Sequence, residues 1–97
     1  PSYKRQLPVV PPDALEMEYY HWFTALDRPG VLSKISGVFG RYNISIASVI
    51  QKGTGDYVPL MIKTHRAQEG NIQRALAEIE GLGTTLEEVR LIRVIYD

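Results

Sequence analysis

The stretch Leu26-Asp27-Arg28-Pro29-Gly30-Val31-Leu32 marks the point where a strand pattern changes into a helix pattern. Before it, residues 18–26 are rich in aromatic side chains and lack helical spacing, which is typical of a β-strand. After it, apolar residues recur at helical spacing as far as Tyr42. Asp27 is a candidate helix N-cap, Pro29 fixes its own φ angle, and Gly30 allows close approach to the backbone. A tight turn of this kind leaves backbone N–H groups free, which suits the binding of a carboxylate or phosphate.

The bulk composition fits one small domain. The chain has 97 residues, enough for a single two-layer core. Eleven Lys plus Arg residues balance eleven Asp plus Glu residues, so the charge expected of a protein that binds duplex nucleic acid or an anionic membrane is missing. The absence of cysteine excludes disulfides, thiolate metal sites and a cysteine nucleophile, and it fits a cytoplasmic location. We therefore expect no nucleic-acid partner and no membrane partner.

The patterns that follow the first helix predict a hairpin, a second helix and a last strand. Residues 44–52 alternate in a way that puts Ile44, Ile46 and Ile50 on one face, and a Gly-rich turn joins them to a strand over residues 57–64. Pro59 cannot donate to a ladder, so we expect a bulge there or an unpaired N–H side. Apolar spacing predicts a helix over residues 67–80, followed by a loop over 82–88 and a strand over 89–96.

This order of elements, βαββαβ, predicts an α+β fold of the ferredoxin-like type, with two helices on one face of a four-stranded antiparallel sheet. Right-handed crossovers place the first and third strands at the centre and the second and fourth at the edges. The face away from the helices then carries Tyr20, Trp22 and Leu26, and an apolar face of this kind predicts contact with another copy or a neighbouring domain. Gly37 and Gly40 predict close packing of the first helix on the sheet. The Pro-rich residues 1–17 read as an extended linker that arrives from a preceding domain, and residues 18–97 as the folded domain.

Two segments resemble the ACT domain, a small regulatory module that binds amino acids. They are residues 26–39, Leu-Asp-Arg-Pro-Gly-Val-Leu-Ser-Lys-Ile-Ser-Gly-Val-Phe, and residues 42–52, Tyr-Asn-Ile-Ser-Ile-Ala-Ser-Val-Ile-Gln-Lys. The second segment, with Val-Pro-Leu-Met-Ile-Lys-Thr-His at residues 58–65, is similar to the C-terminal ACT domains of homoserine dehydrogenases. His21 and Trp22 depart from that pattern, because the family more usually carries an apolar residue followed by Arg there.

The resemblance implies a ligand site and a parent enzyme. It implies an amino-acid effector, most simply threonine, bound between the first strand–helix turn of one copy and the second strand of another, in a homodimer or a higher homo-oligomer. Asp27 would hold the ligand ammonium and the amides around Pro29, Gly30, Val31 and Leu32 would face its carboxylate, with Asn43, Ile44, Ser45 and Ile46 supplied by the partner copy and Gln51 beside a ligand hydroxyl. The parent would be an NAD(P)-dependent homoserine dehydrogenase whose catalytic region precedes the linker. This chain would then have no catalytic residue and no cofactor of its own.

Simpler explanations stay open for several of these residues. Asp27 could be a plain N-cap, and Asn43 lies where a left-handed helix C-cap is common. His21 and His65 lack the spacing of a zinc site, so we expect no metal. Arg90 and Arg93 read most simply as the polar side of an edge strand. Two alternative functions also remain, which are a dimerisation module without a ligand and an RNA-binding domain of the RRM type.

Overall fold

The computed structural model describes residues 4–6 and 11–96 of the chain. In chain order the elements are β1 (Lys4–Gln6), β2 (Glu16–Leu26), α1 (Val31–Arg41), β3 (Ile46–Gln51), β4 (Tyr57–Thr64), β5 (Ala67–Gln68), α2 (Glu69–Gly81) and β6 (Thr85–Tyr96). The strands pair in the order β1-β6-β2-β4-β3, all antiparallel, and the short β5 pairs with the start of β2. The ferredoxin-like α+β prediction is confirmed, with β2 between β6 and β4, and the sheet has two strands, β1 and β5, beyond the four predicted.

The alternation of β2 separates the two faces of the sheet. Tyr19, His21, Phe23 and Ala25 are buried on the helix side, where they join the apolar stripes of α1 and α2 in one core. Trp22 lies on the other side with 36% of its surface exposed, as predicted from the alternation. Leu26, at the end of the strand, packs against the core, so its predicted place on the open face is wrong.

Several predicted boundaries are wrong, and the sheet gives the reason. Residues 82–88 were expected to form a loop, but β6 begins at Thr85 because β2 is long enough to continue pairing past a register shift between Trp22 and Thr24. The second helix begins at Glu69 rather than at residue 67, since Ala67 and Gln68 pair with the start of β2. The second strand of the predicted fold begins at Ile46, two residues later than expected.

A bulge in β3 changes which side chains face the core. The pairing with β4 shifts between Ile46 and Ser48, so Ile46 packs against the core while Ile50 is 45% exposed. Ile50 then pairs with Met61, the partner of Trp22, on the open face. No bulge lies at Pro59 itself. Its carbonyl accepts a bond from the Lys52 N–H (3.3 Å), and the β3–β4 ladder ends there because proline cannot return one.

Two further expectations are corrected. Gly37 and Gly40 are exposed, and a Cβ at Gly40 would meet nothing within 4 Å, so these glycines do not permit close packing on the sheet. The fourth predicted strand, β6, is not an edge, because the backbone of β1 pairs with it from the outside. Within the predicted linker, β2 already starts at Glu16 and the Met17 side chain belongs to the core.

Candidate functional site

The turn between β2 and α1 presents an uncapped helix N-terminus. Gly30 is the N-cap residue and has a φ of 87°, a left-handed conformation that glycine adopts without strain. No side chain among the described residues caps the helix, and its first turn contains no acidic residue. The first bond of the regular helical pattern runs from the Lys34 N–H to the Gly30 carbonyl (3.0 Å), so the N–H groups of Leu32 and Ser33 precede that pattern. The site therefore has donors and a partial positive charge available to an anion.

Asp27 is not the N-cap, and its carboxylate is held by the β3–β4 hairpin instead. Gln51 Nε2 donates to Asp27 Oδ1 (3.3 Å), and the Gly55 N–H donates to Oδ2 (3.3 Å). The Asp27 N–H in turn donates to the carbonyl of Asp56 (3.0 Å). A carboxylate has about four acceptor positions, so these two long bonds leave it able to accept from a further donor such as an ammonium group.

A half-open cleft of about 360 Å³ lies against this turn. That volume is within the range of small-molecule sites, roughly 300–1,000 Å³. Six of the ten residues predicted for the ligand site line it, namely Asp27, Pro29, Gly30, Val31, Leu32 and Gln51, together with Ala25, Leu26, Arg28 and Leu60. The structure thus brings the turn and the end of β3 together at one cavity.

The lining combines charges of both signs with an apolar part. Asp27 supplies a carboxylate, while Arg28 and the start of α1 supply positive charge and donors. Pro29, Leu32 and the half-buried Leu26 contribute exposed apolar surface, and the buried Ala25 and Leu60 lie beneath it. This arrangement suits a small zwitterion with a short side chain. Arg28 and Leu60 were not assigned by sequence reasoning. The position of Arg28 beside Asp27 in the turn was a usable signal for the first, whereas Leu60 lies on a separate strand.

The other four predicted site residues, residues 43–46, are not among those that line the cleft. They follow the C-terminus of α1, which is 11 residues long and so spans roughly 16 Å from the turn. Asn43 has a φ of 60°, and the Ile44 N–H donates to the Phe39 carbonyl (2.9 Å). The interpretation of Asn43 as a left-handed C-cap is therefore confirmed. Within one copy, these residues and the turn are at opposite ends of the helix.

Comparison with known proteins identifies the family. The family model described as "ACT domain" matches residues 23–84, well over half of the chain. The chain belongs to the ACT domain family. An ACT domain from a GTP pyrophosphokinase of Chlorobium tepidum superposes with a TM-score of 0.65 over 79% of this chain and 99% of that one, and at 9% identity it supports the fold alone.

More similar relatives carry the domain within longer proteins. Homoserine dehydrogenase of Pseudomonas aeruginosa is 36% identical over 90 residues, which is 90% of this chain and 21% of the relative. The crystal structure of a homoserine dehydrogenase from Thiobacillus denitrificans superposes with a TM-score of 0.78 and 35% identity, over 89% of this chain and 19% of that one. The chain thus spans about a fifth of the length of these relatives, and it is an ACT domain similar to the ones they contain.

A buried charge cluster lies in the same ACT domain, away from the residues that line the cleft. The Glu69 carboxylate is fully buried and accepts bonds from the Tyr19 hydroxyl (2.9 Å), Arg93 Nε and Nη2 (2.8 and 3.0 Å) and Gln73 Nε2 (2.6 Å). Burial alone would raise the pKa of Glu69, but these bonds lower it below its usual value. The prediction that Arg93 lies on the polar side of an edge strand is therefore wrong. Burial and the bond to Glu69 raise the pKa of the Tyr19 hydroxyl, and the bond to Glu69 also raises the pKa of Arg93. Tyr19 and Arg93 therefore keep their protons, and Glu69 stays ionised.

The open face of the sheet carries stacked aromatic rings. Tyr20 and Trp22 stack with centroids 6.0 Å apart, Lys63 lies 5.6 Å from the Tyr20 ring and Arg90 lies 5.8 Å from the Trp22 ring. Both cations therefore lie within cation–π distance of these rings. Among the described residues, no group of three or more His, Asp and Glu side chains is placed to hold a metal. No helix in residues 11–96 is long and apolar enough to cross a membrane.

Proposed function

We propose that this chain is a regulatory module that binds a free amino acid in the cleft at Asp27. The observation that carries the proposal is the opposition of charges there, with the Asp27 carboxylate beside the uncapped N-terminus of α1. An α-ammonium group would bond the carboxylate, and an α-carboxylate would face Arg28 and the amides that begin the helix. The amide of Gln51, already bonded to Asp27, has a carbonyl oxygen left to accept from a side-chain hydroxyl.

We further propose that a second copy completes the site through the edge strand β3. Every residue of β3 except Ile46 is exposed, and β3 is at the end of the sheet, with no strand of the described residues on its outer side. Antiparallel pairing of two β3 strands about a two-fold axis would set the Ile46 end of one beside the Gln51 end of the other. Residues 43–46 of the partner would then border the cleft, which is the arrangement that the family resemblance implies.

Threonine is the effector we propose, with feedback inhibition as the purpose. The relatives named above are homoserine dehydrogenases, and threonine is the effector that the resemblance implies. Under this proposal the chain itself catalyses nothing, and the NAD(P)-dependent chemistry belongs to a parent enzyme of that type. A cytoplasmic location is part of the same proposal and rests on the absence of cysteine. A ligand shifts the arrangement of two copies only if it binds the two arrangements with different affinity.

Calorimetric titration tests the proposal. Threonine, isoleucine, serine and methionine are titrated into the chain, and threonine should give saturable heat that Asp27→Asn abolishes without loss of the folded state. Asp56→Asn is the matched control, because Asp56 lies in the same turn region and accepts the bond from the Asp27 N–H with its backbone carbonyl, which the substitution keeps. Threonine amide, which lacks the carboxylate, should bind poorly. Absence of heat for all four amino acids at millimolar concentration would leave the dimerisation module as the better interpretation.

The RNA-binding alternative receives less support from the open face. The stacked pair of Tyr20 and Trp22 is a possible platform for bases. However, Lys63 and Arg90 lie over the same two rings, and Lys63 also pairs with Glu18 at 3.8 Å. The neutral net charge weighs in the same direction. A salt-dependent mobility shift of labelled single-stranded RNA would be needed to restore this alternative.

A further inference from the structure

The segment before β2, residues 11–15, lies on the start of α2. The Glu69 N–H donates to the Leu15 carbonyl (3.0 Å), and the Gly70 N–H donates to the Asp13 carbonyl (3.0 Å). The segment is also turned on itself, because the Leu15 N–H donates to the Pro12 carbonyl (3.1 Å). In the part of the chain that the structure describes, no side chain caps α2, so these two carbonyls satisfy N–H groups that a helix start otherwise leaves to water. The N-terminal segment thus caps α2 through its backbone carbonyls.

Gly70 allows this close contact. A Cβ atom built on Gly70 would lie 2.9 Å from Asp13 Cβ and 3.0 Å from Asp13 Cγ, closer than real Cβ atoms approach. Gly70 has ordinary helical geometry, a setting in which alanine is the better residue by propensity. The glycine is therefore explained by the segment packed against it rather than by a backbone requirement of the helix.

Glu69 ties this contact to the rest of the fold. Its backbone N–H holds the segment, while its buried carboxylate is bonded by Tyr19 of β2, Arg93 of β6 and Gln73 of α2. Such buried ion pairs add little stability compared with an apolar pair of the same volume, because desolvation offsets their attraction. What this cluster does supply is a fixed direction for each of its members, and hence for the start of α2 on which the segment lies.

From these contacts we infer that the N-terminal segment is a rigid connection and that Gly70 and Glu69 are the residues that make it so. Its regulatory meaning rests on the proposed function. A reorientation of two ACT domains on amino-acid binding would be passed to the chain that precedes β1 through two attachments, the segment that lies on α2 and the pairing of β1 with β6.

Hydrogen exchange on the unmodified chain tests the connection without any ligand. Amides at the first positions of a free helix exchange with little protection, whereas the amides of Glu69 and Gly70 should be protected to within about tenfold of those in the interior of α2. ¹⁵N relaxation should give residues 13–15 order parameters near the rigid-backbone value of about 0.85. Unprotected amides, or order parameters below about 0.6, would overturn the inference.

A pair of glycine variants in the same helix tests the role of Gly70. Gly70→Ala should lower the protection of the Glu69 and Gly70 positions by tenfold or more, as the segment is pushed off. Gly81→Ala, at the open end of α2 where a Cβ meets nothing within 4 Å, should leave that protection unchanged. Equal effects of the two substitutions, or no effect of Gly70→Ala, would show that Gly70 is not needed for the contact between the N-terminal segment and α2. If Gly70→Ala fails to fold, the exchange and relaxation data on the unmodified chain still decide whether the connection is rigid.

Residual dipolar couplings separate this inference from the proposed function. The couplings of residues 13–15 should fit the alignment tensor of β2 and β4, both without ligand and with threonine at millimolar concentration. If the couplings fit and threonine does not bind, the connection is rigid and the proposed function fails. If threonine binds but the couplings average towards zero, the proposed function stands and the rigid connection is wrong.

Discussion

Replacing His21 by leucine should stabilise the fold, and the gain should grow as the pH falls. His21 is fully buried between Tyr19 and Phe23, with ring centroids 6.1 and 6.0 Å away, and the Phe39 ring lies 5.1 Å from it. Neither imidazole nitrogen has a hydrogen-bond partner in the described part of the chain. An unsatisfied buried polar group costs about 1–3 kcal/mol, so an apolar side chain of similar volume removes a penalty.

The expected change in the free energy of unfolding on His21→Leu follows from two opposing effects at pH 7 and from proton linkage at lower pH. Leucine loses aromatic contacts worth about 0.5–1.5 kcal/mol, so the net gain at pH 7 should be about 1 kcal/mol. Burial, with a contribution from the Arg93 charge and against that of Glu69, lowers the pKa of His21 from 6.5 to about 3. Between those values the unfolded chain binds a proton that the folded chain does not, so stability falls as the pH falls. From pH 7 to pH 5 the loss attributable to His21 is about 2 kcal/mol.

Urea denaturation at pH 7 and pH 5 measures this difference in wild type and in His21→Leu. Any packing error of the leucine cancels between the two pH values, and Glu69 affects both proteins alike. His65→Leu, at an exposed position, controls for the loss of an imidazole elsewhere. If wild type and His21→Leu lose the same free energy of unfolding between the two pH values, then His21 is not held neutral by burial and the reasoning is wrong.

Further substitutions probe the charge cluster, the turn and the edge strand. Glu69→Gln and Arg93→Met should each lower the free energy of unfolding in urea by about 3–5 kcal/mol, and the double variant should lose less than their sum; additive losses would contradict a directly coupled pair. Gly30→Ala should lower the free energy of unfolding by about 1–2 kcal/mol, because the φ of 87° is unfavourable for alanine although a Cβ has open space there. Gly40→Ala is the control and should not lower the free energy of unfolding. Val49→Lys, on the 38% exposed side chain of β3, should convert the proposed dimer into a monomer in sedimentation at micromolar concentration, and a dimer that persists in the variant would contradict an interface at β3.

The element order and half of the site were predictable because they depend on local patterns. Alternation in β2, helical spacing after Val31 and the turn between them predict one strand, one helix and the position of the cleft. The family resemblance is what assigned Asp27 and Gln51 to the candidate site, and the fold brings both to the lining of one cleft. The order of the four main strands follows from right-handed crossovers once the elements are known.

The remainder depends on contacts between distant residues, which carry no local signal. Glu69 and Arg93 are 24 positions apart, and single charged residues are read as exposed by default, so a buried pair is not visible in the pattern. The position of Asp27 in the turn suggests an N-cap, but its carboxylate instead accepts bonds from Gln51 and Gly55 of the hairpin. The bulge after Ile46 reverses the expected side of Ile50, because one extra residue changes the two-residue alternation.

The sharing of one carboxylate among several elements has a consequence for how the sequence can change over time. Loss of Arg93 alone leaves Glu69 as an unpaired buried charge. Loss of Glu69 alone removes the acceptor of the hydrogen bonds from the Arg93 guanidinium and the Tyr19 hydroxyl. Each single step is therefore strongly disfavoured, whereas exchange of the whole set for apolar residues is tolerated. Related sequences should accordingly keep these residues together or replace them together, with phenylalanine in place of Tyr19 in the lineages that have lost the pair.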